Sequence, residues 1–318
     1  MTTTQNPQDL KSNSATTVEQ PQTAEVEREF TIKARSQREQ IVRRFLRNKQ
    51  AMGGLLVFIA VLVIAWAGPL VYGFTFSELR PADASVGPGT NGHVLGTDGL
   101  GRDLLANIMR GIQRSTLTIV VAVGIALTLG LLVGLLAGYY GKWVDNVLMR
   151  LVDLILTVPS LVVLIVVASN FPNARTAIGI AVIIGLFGWL DLSRILRSQI
   201  LGLREREFIE AAHALGASDR RIMFKHLIPN TLGSIIVWAT LTAATVILLE
   251  ASLTYLGFGV ANDTSLGRLV SDGVSAAQTR PWLFYFPGLM LLVIALCINL
   301  IGDGIRDAFD PSNKRVRA

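Results

Sequence analysis

Charge is scarce in this chain. Asp, Glu, Lys and Arg make up 16% of 318 residues and hydrophobic residues 51%, whereas a soluble domain carries about a quarter charged residues. With a mean hydropathy of +0.49, this balance excludes an ordinary soluble enzyme. Cysteine is nearly absent: Cys297 alone cannot form an internal disulfide, which excludes a disulfide-stapled secreted scaffold. His93, His213 and His226 show no zinc-like spacing with it, so no structural metal is predicted. No GxxxxGK[ST] run occurs, so the chain is not expected to hydrolyse ATP itself. No repeat of solenoid period occurs either. The first long apolar run begins only at Ala51, which argues against a signal peptide.

What is present is a set of long apolar runs with basic flanks. The net charge is +6, but the basic residues cluster beside those runs, which points to a bilayer rather than to nucleic acid. Residues 1–28, rich in Thr, Gln, Ser and Asn, cannot bury enough apolar surface to order themselves, and a disordered tail is predicted over 1–37. Over 38–50, Ile41, Val42, Phe45 and Leu46 form a helical stripe among Arg43, Arg44, Arg47 and Lys49. This is either a basic interfacial helix or a solvated lead-in to the first span. Six segments are long enough for a hydrocarbon core of about 30 Å. They lie within 51–76, 115–140, 151–169, 176–196, 231–250 and 282–301. Only helices or closed barrels satisfy the backbone in lipid, and no alternating short strands occur, so an all-α membrane domain over 51–311 follows. With the amino terminus inside, the outer loops hold 7 of the 29 Lys and Arg (Arg80, Arg102, Arg110, Arg114, Arg175, Arg268 and Arg280). Both termini, including the tail at 312–318, are therefore predicted to be cytoplasmic.

The centres of the spans are nearly free of charge, which weakens the reading as an ion-coupled carrier acting alone. Gly130, Gly134 and Gly138 recur every four residues, giving one face for close helix packing or for sliding. Glu250 ends a long uncharged run and either faces a substrate pathway or caps an outer helix end. Arg150/Asp153 and Asp191/Arg194 read as local i,i+3 pairs. In the outer loop Asp98 reads as a helix N-cap, with Leu100, Leu104 and Leu105 facing membrane or partner. Asp303, Asp307 and Asp310 are not read as a metal cluster; Asp303 is expected to start a short cytoplasmic helix near Arg306.

The inner loop at 203–230 is the richest segment. Phe208, Ala211, Ala212 and Leu215 form an apolar face at helical spacing, with Glu207 and Glu210 mostly off it. Gly216 stands where that helix should stop in the left-handed cap conformation. Ser218 or Asp219 can cap a second helix carrying Ile222, Met223 and Leu227, and Pro229 marks the start of the fifth span. Such a knob either docks into a partner's groove or folds against its own bundle.

The run Glu210-Ala211-Ala212, three residues, Gly216, nine residues, then His226-Leu227-Ile228-Pro229 resembles the EAA loop of binding-protein-dependent ABC importer permeases. His226 stands where the general pattern has Ile and Ile228 where it has Leu; His is typical of the peptide/nickel branch. Three further stretches resemble that branch: GTDGLGRDLL at 96–105, MRLVDLILTVPSL at 149–161, and FPGLMLLVIALCINLIGDGIRDAFDP at 286–311. The arrangement is similar to the C-type permease of oligopeptide and dipeptide importers. NDTSLG at 262–267 departs from the Pro- and Trp-containing loop common there.

The resemblance implies a type I ABC importer permease fold of six transmembrane helices, with a cytoplasmic EAA coupling loop at 203–230, in the bacterial plasma (inner) membrane. It implies a homologous B-type permease as partner, two cytoplasmic ABC ATPase subunits or domains, and an extracytoplasmic substrate-binding protein. ATP and Mg would be consumed by the ATPases, with no cofactor bound by this chain. Phe208, Ala211, Ala212 and Leu215 would pack on an ATPase, Glu210 would hold the loop, Gly216 would make its turn, and the span entered through Pro229 would transmit the motion. His226 would serve as a pH-sensitive switch or as a static hydrogen-bonding group. The substrate would be a short peptide, with nickel as the alternative of the same branch.

Overall fold

The computed structural model describes residues 37–171, 175–260 and 263–309. The tails expected at 1–37 and 312–318 lie outside the described residues, apart from Gln37. Among the described residues there is no strand, only two isolated bridges, Thr90–His93 and Thr97–Asp103. Eleven helices are described: α1 (Gln37–Arg47), α2 (Lys49–Val71), α3 (Leu104–Tyr140), α4 (Lys142–Leu156), α5 (Ser160–Asn170), α6 (Ala177–Arg204), α7 (Glu207–Ala214), α8 (Asp219–Ile222), α9 (Ile228–Tyr255), α10 (Leu266–Val274) and α11 (Trp282–Phe309). Five stretches are long and apolar enough to cross a membrane: α2, α3, α6, α8 running into α9, and α11. The α4–α5 pair passes the same test when taken together. Leu56, Val63, Trp66 and Leu70 of α2 are exposed, as side chains meant for lipid should be.

Several spans differ from the hydropathy reading. The first stops at Val71, and Tyr72–Phe76 are not helical. The second begins eleven residues earlier than expected, because the helical piece in the outer loop is the first third of α3. Its N-cap is Asp103, whose Oδ1 accepts from Ala106 N–H at 2.7 Å. Asp98 instead closes a turn, accepting from the N–H groups of Leu100 and Arg102, both at 2.9 Å. Leu104 is buried while Leu100 is exposed, so these leucines do not share one outward face. The third span is broken: α4 and α5 meet at 76° across Thr157–Pro159. Proline has no N–H and its ring collides with the carbonyl four residues back, here that of Ile155. Asp303 lies inside α11, which runs on to Phe309, and starts no separate helix. Asp153 pairs with Arg194 across α4 and α6, and Asp145 pairs with Arg197, in place of the local i,i+3 pairs.

The core falls into two clusters. One lies toward α10 and includes Ile108, Ile112, Ile180, Ile247 and Leu266. The other includes Leu192, Leu196 and Ile200 of α6 and continues into Ile209, Ile222 and Leu227 around the α7–α8 hairpin. Parallel helices α3 and α6 join the two. A Cβ added at Gly130, Gly134 or Gly138 would lie 2.8 Å from the Cβ of Leu192, Leu196 or Ile200 respectively. The glycine stripe thus lets two backbones approach in step, four residues at a time.

Candidate functional site

The α7–α8 hairpin is built by its stop signal. Gly216 has φ +76°, the left-handed conformation open to glycine. Ala217 N–H reaches Ala212 O at 3.0 Å and Gly216 N–H reaches His213 O at 2.9 Å, the paired bonds of a Schellman cap. Nothing lies within 4 Å of a Cβ placed at Gly216, so backbone conformation alone demands glycine there.

One side of the hairpin is anchored and the other is open. Ile209 is 1% exposed, and Ile222, Met223 and Leu227 are buried with it. Ala212 is half-buried against the same cluster. Phe208, Ala211 and Glu210 are exposed, and Leu215 is 88% exposed. The hairpin therefore both folds against its own bundle and presents an apolar edge. Tyr139 of α3 donates to Asp219 Oδ1 at 2.8 Å, and His213 Nε2 lies 3.5 Å from the same hydroxyl. Ser218 occupies the N-cap of α8 without a side-chain cap bond. The half-buried His226 ring lies 6.4 Å from the Phe208 ring.

Beyond α8 the helix does not end before the fifth span. Met223–Leu227 form a π segment whose Ile228 N–H bonds Met223 O, and α9 follows directly. Pro229 sits in the first turn of α9. The wider π turn relieves the collision its ring would have with the preceding turn. A mechanical link therefore runs from hairpin to span without a loop.

The opposite end of the bundle is held by polar contacts. Arg110 Nη2 and Nε each lie 3.0 Å from a carboxylate oxygen of Asp263, and Arg114 pairs with the same group. Burial alone would raise the Asp263 pKa. The Arg110 hydrogen bonds, the Thr264 N–H and the two guanidinium charges outweigh it and hold the carboxyl below its ordinary value. His93 is fully buried, with Nδ1 2.7 Å from Asp103 Oδ2, Nε2 3.6 Å from Asp83 Oδ2, and its ring 4.2 Å from that of Phe74. Tyr72 donates to Asp103 at 2.9 Å; burial first, then that carboxylate, push its hydroxyl up to about 12. Glu250, 1% exposed, lines no open path here: Ser115 and Thr254 meet its oxygens at 3.2 and 3.3 Å.

Sequence reading missed Ile209, Tyr139 and the Glu250 partners. An eight-residue helix with apolar groups on two sides, Phe208 and Leu215 on one and Ile209 on the other, was the available signal for two-sided packing. The Tyr139 and Ser115 contacts join residues more than seventy positions apart, whereas Thr254 stands four residues from Glu250.

A transport-permease architecture is defined by this bundle, its bent third span and its helical hairpin continuous with a long span. The family model described as the binding-protein-dependent transport system inner membrane component matches residues 130–315. The chain belongs to that family. A second model, the N-terminal TM domain of oligopeptide transport permease C, matches residues 36–88. Among relatives, the oligopeptide transport system permease protein OppC of Mycobacterium tuberculosis (strain ATCC 25618 / H37Rv) is 41% identical over 283 residues, covering 89% of this chain and 97% of the relative. OppC of Escherichia coli (strain K12) is 39% identical, covering 89% and 94%. OppC of Bacillus subtilis (strain 168) is 36% identical, covering 86% and 88%. A chain of the methionine ABC transporter MetNI, solved in inward-facing conformations, shares the fold at TM-score 0.52 and 20% identity, covering 64% of this chain and 96% of that one.

Proposed function

We propose that this chain is one membrane-spanning permease subunit of an ATP-driven importer that moves short peptides across the bacterial plasma membrane by alternating access. The observation that carries the reading is the hairpin: Phe208, Ala211 and Leu215 stand open while Ile209, Ile222 and Leu227 bind its other side to the bundle. An apolar edge with charged rims, fixed to a rigid support, suits a groove on a partner. The partner in this reading is a cytoplasmic ABC ATPase, one of two, which binds ATP and Mg. Closure of the ATPases would push the hairpin, and the continuous α8–α9 rod would carry that push into the bundle as a two-state rigid-body motion. A homologous B-type permease completes the pathway, an extracytoplasmic binding protein delivers substrate, and both termini face the cytoplasm.

Peptide is preferred to nickel because the relatives carry oligopeptide names over nearly the full chain. A carrier acting alone is not favoured by membership of a binding-protein-dependent family. The test is ATP-dependent uptake of a labelled tripeptide into vesicles bearing this chain and its co-encoded partners, with nickel uptake run alongside. Peptide accumulation that Gly216→Asp abolishes is expected. Nickel accumulation without peptide, or uptake by the chain without ATP, would overturn the reading.

A further inference from the structure

Glu250 lies in α9, five residues before that helix ends at Tyr255. A carboxylate withdrawn from water at membrane depth is unfavourable unless donors meet its oxygens. Here Ser115 of α3 donates to one oxygen at 3.2 Å, Thr254, whose hydroxyl bonds the Glu250 backbone carbonyl at 2.8 Å, lies 3.3 Å from the other, and Ser265, the residue preceding α10, stands beside the group. Two of these hydroxyls also serve the first turn of α10. Leu266 N–H points to Ser115 Oγ at 3.5 Å, and Arg268 N–H bonds Ser265 Oγ at 3.3 Å. A helix start carries unsatisfied N–H groups and a positive partial charge. The buried carboxyl group therefore faces that start through Ser115 Oγ, which lies between Glu250 and Leu266 N–H, while Ser265 Oγ accepts from Arg268 N–H beside it.

The surroundings hold α10 closely. A Cβ at Gly267 would lie 2.6 Å from Ala251 Cα, and one at Gly273 would lie 2.5 Å from Leu283 O. The residues that follow α9 are gripped as well: Arg175 donates to Gly257 O at 2.6 Å and Gly259 O at 3.2 Å, and Arg268 donates to Val260 O at 2.9 Å. Packing alone would be served as well by an apolar side chain at position 250, since replacing buried charge by well-packed hydrophobic groups is often neutral or stabilising. A polar group at this point needs another reason, and the start of α10 supplies it.

We propose that Glu250 is a positioning residue for transport. Its carboxyl group seats α10 on α3 and α9, so that α10 moves with those two helices as one body during the cycle. This inference rests on the importer reading above. It differs from a substrate-pathway role, because Glu250 touches no open space and acts through Ser115 and Ser265.

The test uses the full complex, with partner permease, ATPases and binding protein, reconstituted in lipid. Hydrogen exchange and labelled-peptide uptake are measured on the same preparations. Glu250→Gln keeps the shape and replaces the carboxyl group by an amide. It is expected to speed exchange over residues 263–274 by roughly tenfold or more, leave α6 unchanged, and lower maximal uptake with KM preserved. Ser265→Ala keeps the carboxyl group and removes the hydroxyl beside it, so it should speed exchange in the same segment to a smaller extent. Unchanged exchange there in both variants would overturn the proposal. So would acceleration shared equally by α6 and α11, or a raised KM with maximal uptake intact. Failure of the unsubstituted complex to take up peptide would refute the importer reading instead, and the exchange comparison would still judge Glu250.

Discussion

Tyr139, the penultimate residue of α3, donates its hydroxyl to Asp219 at 2.8 Å and so ties the first turn of α8 to a helix some eighty residues earlier. The hairpin is thereby braced from two sides: by Ile209 and Leu227 on the core, and by Tyr139 on the glycine-bearing helix. A hydrogen bond of this kind contributes about 0.5–1.5 kcal/mol. Tyr139→Phe should leave the fold intact and lower the number of peptides moved per ATP hydrolysed. The check is uptake and phosphate release measured on the same vesicles; an unchanged ratio would count against the brace.

Gly216→Ala meets no steric obstacle, yet the left-handed conformation should cost about 1–2 kcal/mol for a residue with Cβ. Gly216→Asp adds charge at the turn, and Ala212→Asp forces a carboxylate against the hairpin core. Both acidic variants should insert in the membrane and hydrolyse ATP with their partners while uptake is lost. Wild-type uptake by either would sink the docking model.

Gly134→Ala should destabilise the bundle by about 1–3 kcal/mol, since its Cβ would press on Leu196 Cβ and Ser193 O, both at 2.8 Å. Gly124→Ala is the control on the same helix, because nothing lies within 4 Å of its Cβ. Thermal unfolding of the purified chain in detergent should separate the two. Equal midpoints would mean that α3 and α6 do not rely on close backbone approach.

Asp263 gives a pH dependence with a defined sign. Its carboxyl is held below the ordinary value of 3.8 in the folded chain. The stability it contributes is therefore present above pH 3.8 and is lost as the pH falls through the depressed folded value. Exchange protection of residues 263–274 should fall on acidification into that window, and Asp263→Asn should flatten the response.

The long spans were legible because a run of some twenty apolar residues has few other uses. The Gly216 stop was legible because a left-handed turn favours one residue type. The first third of α3 was legible as a helical piece at Leu100–Met109 but not as part of the second span, since Arg110 and Arg114 interrupt the apolar run; their partner, Asp263, stands about 150 residues away. Asp153 was assigned to a neighbour on its own helix because local spacing is all a sequence displays, whereas Arg194 reaches it from α6. Pro159 was visible, but within an apolar stretch it did not announce how sharply the chain would turn. Nothing local at Glu250 indicated the Ser115 hydroxyl, which reaches it from α3, 135 residues earlier.

The break between α4 and α5 has a consequence for what surrounds the chain. Residues 157–160 are exposed on this subunit and lie between two apolar helices. Irregular backbone at membrane depth does not persist against acyl chains, which offer no hydrogen bonds; it persists against protein or water. With α4 and α5 taken as one span, that flank is expected to meet protein or water and the face of α2, where Leu56, Val63 and Trp66 are exposed, to meet acyl chains.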